Sequence, residues 1–192
     1  FVQMEAWNRS DLGEQTYNGV ISGPLIVRRS ITTANTGGKV TFNATNTYSG
    51  GTALNDGEIA LGSDCTGPAD APTGGPLGTG TVTIGNDAGK LSAAGGARNL
   101  KNHFVFTTGG KTLTFLGANN LELSGNIDLA GLTNSLVSSN SGDYVISGVI
   151  TNGGLNKVGG GKLILTAANT YTGPTIASNG LLRVDGSLAA GS

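Results

Sequence analysis

The chain is short of most of what chemistry at a site requires. Its 192 residues hold one cysteine and one histidine. Cys65 therefore has no internal disulfide partner, and an odd thiol in an exported protein is left either as an unpaired loop residue or as an intermolecular or attachment thiol. His103 has no second histidine or cysteine with which to share a metal, and beside Lys101 and Asn102 it reads as a surface or strand histidine. No G-x-S-x-G turn presents a serine nucleophile, so a Ser/His/Asp hydrolase is unsupported.

Charge is scarce as well. Only 12% of residues are charged, the net charge is −1, and the 11 Lys and Arg are scattered, with Arg28 and Arg29 adjacent. That excludes a basic face for nucleic acid. The 12 acids lie mostly singly. Glu122 and Asp128 are spaced to stack on neighbouring turns, but turn or solvated-face roles explain them better than the paired carboxylates of a glycosidase. The calcium nonapeptide of a β-roll is missing, and no cofactor or metal is expected. No stretch reaches the roughly 18 apolar residues of a membrane helix and no secretory signal opens the sequence, so no membrane insertion by this chain is expected.

What is abundant is turn chemistry. There are 34 Gly, 23 Thr and 18 Asn, and no stretch keeps a helical apolar period. One unit occurs twice. Residues 38–61 (GKVTFNATNTYSGGTALNDGEIAL) and 161–184 (GKLILTAANTYTGPTIASNGLLRV) match at nine of 24 positions without a gap, at an offset of 123. Val40 and Phe42 alternate with polar neighbours, as do Leu163 and Leu165, which is the period of a strand with one buried face. An Asn-Thr-Tyr-x-Gly corner follows: Asn46, Tyr48 and Gly50 in one copy, Asn169, Tyr171 and Gly173 in the other. Asn bonds its own backbone and Gly removes the steric bar to a sharp bend, so these six residues are structural corners, with Asn forming ladders to adjacent turns. A second short strand, a Gly turn and an apolar strand complete the unit.

This unit resembles the passenger-associated strand repeat of bacterial autotransporters and related surface proteins. The flanks agree, with Ile146-Ser-Gly-Val-Ile150 and Gly153-Gly-Leu-Asn-Lys-Val-Gly159 leading into the second copy and Leu77–Ile84 following the first. The resemblance implies an all-β, right-handed parallel β-helix on the bacterial exterior, extracellular or at the cell surface. An autotransporter also carries a C-terminal membrane barrel of amphipathic strands. This sequence starts at Phe1 and ends at Ser192 without one, so a processed protein or a fragment of a longer one is expected.

Two regions interrupt the pattern. Residues 1–16 do not fit the repeat and hold the Trp and the Met. They are either a cap on the first turn or an assembly arm that pairs with a neighbour through Phe1, Val2 and Trp7. Residues 62–80, with three prolines, are expected as a surface excursion from a single β-helix domain spanning 17–192. Apolar segments recur to the end, giving about eight rungs and a rod roughly 40 Å long. The Thr81/Thr83 and Thr112/Thr114 pairs raise ice binding but are irregularly spaced, so β-propensity explains them.

The expectation is a non-enzymatic structural protein of the bacterial exterior whose unprotected rung ends join it to copies of itself in a fibre or layer. The alternative is an adhesin or stalk segment of an autotransporter passenger, with surface glycans or host matrix as partners.

Overall fold

The computed structural model describes residues 3–5, 14–30, 38–139 and 141–192, without the side chains of Glu5, Asp87 and Ala88. Eighteen strands and no helix occur among the described residues. Each strand is too short to bury its apolar face by itself, and Gly- and Asn-rich corners turn the chain after a few residues. After three corners the chain lies over its own earlier course and pairs with it in parallel. The result is a parallel β-solenoid of three faces and about seven turns, close to the eight rungs expected.

The first face stacks Gln3–Glu5, Ile26–Arg29, the leading parts of Thr52–Leu61 and Val82–Ala93, then Phe104–Phe106, Ile127–Asp128 and Ile150–Thr151. The second stacks Gln15–Tyr17, Lys39–Phe42, the trailing parts of the same two long strands, then Thr112–Leu116, Thr133–Ser138, Gly154–Val158 and Thr175–Ala177. The third stacks Arg98–Leu100, Leu121–Leu123, Asp143–Ile146, Lys162–Leu165 and Leu181–Val184.

Parallel register makes like stack on like. Inside the first face run Val27, Thr52, Val82, Phe104, Ile127 and Ile150, inside the second Val40, Ile59, Leu91 and Phe115, and inside the third Leu100, Leu123, Ile146 and Leu165, all buried. Each such side chain contributes about 1.5–3 kcal/mol on burial. The Tyr144 ring lies 3.8 Å from that of Phe115, centroid to centroid. The hydroxyls of Tyr144 and of Ser138 are buried without a partner among the described residues.

Two cations also lie inside. Arg29 donates to the carbonyls of Gly38 (2.8 Å), Ser30 (3.2 Å) and Glu58 (3.5 Å). Burial lowers its pKa, and the charges of Asp56 and Glu58 oppose that shift. The Lys157 ammonium is ringed by the carbonyls of Gly159 (2.5 Å), Gly161 (2.8 Å), Asn179 (2.9 Å) and Val158 (3.2 Å), and burial lowers its pKa too. Each cation closes a corner by donating to carbonyls gathered there, two of which, Gly38 O and Gly161 O, also accept a strand amide.

The two sequence copies do not sit one above the other. Lys39–Phe42 lies on the second face and Lys162–Leu165 on the third. In the middle of the rod a turn takes 23 residues, as Leu121 pairs with Arg98 on one side and Tyr144 on the other. The offset of 123 residues is therefore about five turns and a third, and the motif reappears rotated by one face.

The last turn is open. Ile176, Leu181 and Val184 are 46%, 53% and 37% exposed, Ile176 and Leu181 because they stack on the outward-facing Asn156 and Lys162. At the other end, Gln3–Glu5 and Gln15–Tyr17 add a level to the first and second faces.

Candidate functional site

The recurrent Asn-Thr-Tyr corner is the most specific feature of the chain, and the structure gives it the same geometry twice. Ile21 N donates to Asn46 Oδ1 at 2.8 Å, and Asn46 Nδ2 donates to Pro76 O at 3.0 Å. Ile150 N donates to Asn169 Oδ1 at 2.9 Å, and Asn169 Nδ2 reaches Ser187 O at 3.2 Å. Each Asn thus brackets the turn before it and the turn after it. The buried Tyr48 hydroxyl lies 2.6 Å from Thr52 Oγ1, and that of Tyr171 lies 2.8 Å from Thr175 Oγ1. Desolvation raises the pKa of both tyrosines, so their hydroxyls stay neutral. A Cβ on Gly50 would stand 2.4 Å from Leu25 O, and one on Gly173 would stand 2.5 Å from Gly153 O. Glycine at these positions lets the corner lie directly on the turn beneath.

Corner residues that sequence reasoning passed over do the same work. Lys111 N donates to Asn134 Oδ1, Asp143 N to Asn120 Oδ1 and Val149 N to Asn126 Oδ1, each 23 residues apart. An Asn recurring about one turn away was the available signal.

The excursion at 62–80 folds back on the rod. Gly74 and Gly75 pair with Thr66 and Asn46, and Leu77 enters the core. Asp64 Oδ1 accepts from Asn99 N at 2.8 Å, Lys101 Nζ donates to Gly67 O at 2.7 Å, and Asp70 accepts from Asn126 N at 2.6 Å. With Ser63 Oγ donating to Ala44 O at 3.1 Å on the preceding turn, the excursion is tied to turns on both sides. Cys65 within it is 6% exposed and sends its thiol to Asn102 Oδ1 at 3.4 Å. Burial raises the thiol's pKa, which leaves it protonated and out of reach of an intermolecular partner while the excursion stays packed.

The remaining candidates do not assemble. His103 Nδ1 stands 3.6 Å from Asp70 Oδ1 as a partnered surface histidine. Glu122 lies on the third face, accepting from Ser147 Oγ at 2.5 Å, whereas Asp128 lies on the first. Among the described residues no group of three or more His, Cys, Asp or Glu is placed to hold a metal. Thr83 stacks between Ala53 and Val105, and Thr114 between Lys90 and Val137, so neither pair belongs to a threonine ladder. Phe1, Val2 and Trp7, named above as assembly contacts, lie outside the described residues.

Sequence comparisons match the same corner units. A family model described as passenger-associated-transport-repeat matches residues 37–61 and 155–184, the two copies of the corner unit. A protein named adhesin BmaC autotransporter, from Brucella suis biovar 1, is 35% identical over 139 residues. That match takes in 72% of this chain and 3% of the relative, so the chain spans a small part of that protein's length. No solved structure matches. The chain is a parallel β-solenoid whose two corner-unit copies are each matched by the passenger-associated-transport-repeat model.

Proposed function

We propose that the chain is a rod segment of an adhesin-type passenger on the bacterial exterior, acting by shape and stiffness without catalysis. The observation that carries this is the coincidence of the matched repeats with corners that bracket successive turns through Asn46 and Asn169. Such a stack transmits load along its axis through many backbone hydrogen bonds at once. Antibodies raised against the folded chain should label intact, unpermeabilised cells of the source bacterium. Labelling only after permeabilisation would refute a surface location.

A second reading is end-to-end assembly into a fibre. The outward-facing Ile176 and Leu181, 46% and 53% exposed, favour contact with a further copy. Electron microscopy of the full chain and of a chain lacking residues 1–16 separates the two. Fibres lost on truncation support assembly through the N-terminal segment, and uniform short rods in both samples leave the passenger segment alone.

A further inference from the structure

The rod does not keep its girth. In its middle Leu121 pairs 23 residues either way, but Leu163 pairs with Tyr144 and Leu182, 19 residues either way. Strand pairing fixes the faces, so the residues are lost at corners. Between the first and second faces the corner is 129–132 in one turn and only 152–153 in the next. The longer corner overhangs the shorter. Beneath it opens a groove of about 540 Å³, lined by Asp128, Leu132, Thr133, Asn152, Thr172 and Pro174 with glycine backbone between them.

The lining limits what can enter. Among the described residues no Lys, Arg or His lines it and Asp128 is the one charged group, so an anionic ligand finds no charge partner there. Asp128 Oδ1 accepts from Ala130 N at 2.8 Å and from Asn152 Nδ2 at 3.3 Å, while no bond to a described residue takes up Oδ2. The carboxylate is thus oriented with one acceptor free. Leu132, 55% exposed, lies over Gly109 of the preceding turn at one rim of the groove, and Pro174 stands at the opposite rim. Ala130 and Asn152 are held at φ of 56° and 50°, left-handed values that a side chain adopts at a cost and that concentrate where a surface is shaped for contact. The volume lies in the range of small-molecule sites, about 300–1,000 Å³.

We propose that this ledge is a binding groove for a neutral saccharide. Asp128 and Asn152 receive and donate to ring hydroxyls, Thr133 and Thr172 add hydroxyl partners, and the apolar rims at Leu132 and Pro174 flank the C–H edges of the sugar. This goes beyond the rod reading and does not depend on it, since a spacer needs no groove.

Lactose, sialyllactose and hexalysine, titrated separately into the isotope-labelled full chain, test it by amide chemical shifts. Lactose is expected to move the amides of 129–133 and 152–154, with sialyllactose weaker by about threefold or more. Asp128→Asn keeps an acceptor for Ala130 N, so the corner stays folded, and is expected to weaken lactose about threefold to tenfold. Leu132→Ser is expected to weaken it several-fold, and Glu122→Gln on the third face to leave it unchanged. The proposal is overturned if lactose, maltose and N-acetylglucosamine all leave these amides unmoved to about 50 mM. It is equally overturned if hexalysine moves them and the sugars do not, or if lactose shifts survive both groove substitutions.

Discussion

The two copies of the repeat share a corner and differ in company. In each the Tyr hydroxyl meets the Thr four residues on, the Asn takes an amide from the preceding turn, and the Gly lies against a carbonyl of that turn. Yet Ile59 and Leu61 of the first copy are fully buried, whereas their counterparts Leu182 and Val184 are partly open to water. The motif therefore encodes its own corner and little more. Burial, the larger contribution, comes from neighbouring turns, and an interior turn has two where an end turn has one.

The largest test of that difference is steric. Gly50→Ala drives a Cβ to 2.4 Å from Leu25 O in a turn clamped from both sides, and should cost about 3 kcal/mol in denaturant unfolding. Gly173→Ala meets a similar clash, at 2.5 Å from Gly153 O, in a turn free to shift outward, and should cost about half as much. Equal losses would break the comparison. Core truncation follows, with Ile59→Ala expected to cost about 3 kcal/mol and Leu182→Ala about 1 kcal/mol by the same measurement.

Alkaline pH sharpens it next. Burial raises the pKa values of Tyr48, Tyr144, Tyr171 and Cys65 in the folded chain. The stability these groups lend is complete below their unfolded values, about 8.5 for Cys and 10 for Tyr, and is lost as pH climbs towards the folded ones. The unfolding free energy should fall above about pH 9, by up to about 1.4 kcal/mol per pH unit for each titrating group, as denaturant unfolding measures. Lys157 acts oppositely, because its lowered pKa makes the charged form the costly one, and that cost is relieved as pH rises through its folded value. Tyr144→Phe should flatten the alkaline decline.

The smallest effects are those the two corners should share. Tyr48→Phe and Tyr171→Phe each lose one hydrogen bond within their own turn and should each cost about 1 kcal/mol. Tyr144→Phe at neutral pH removes a hydroxyl that bonds to nothing described, and thermal melts should show no loss or a slight gain.

Much of the fold was legible in the residues. Val40 and Phe42, or Leu163 and Leu165, give strand periodicity, and the gapless repeat gives a stacked architecture. The ladder role of Asn46 and Asn169 followed from the chemistry of a corner amide. The rotation of the second copy onto another face was not legible, because three faces built from the same alternation read alike in sequence. The burial of Lys157 was not legible in its flank of the second copy, because the carbonyls that hold it include one 22 residues away. The return of 62–80 onto the rod depends on Asp64, Asp70 and Lys101 meeting residues from other turns, and no local pattern marks that. The ledge at Leu132 was hidden for a related reason, since it arises from a difference between two corner lengths.

Residue-resolved native-state hydrogen exchange tests the central claim most directly. If the corners are local and stability is supplied by neighbouring turns, the amides of Glu58–Leu61 exchange only through global unfolding while those of Leu181–Val184 exchange orders of magnitude faster. Equal protection in the two copies would contradict it, and would place the stabilisation in the repeat unit itself.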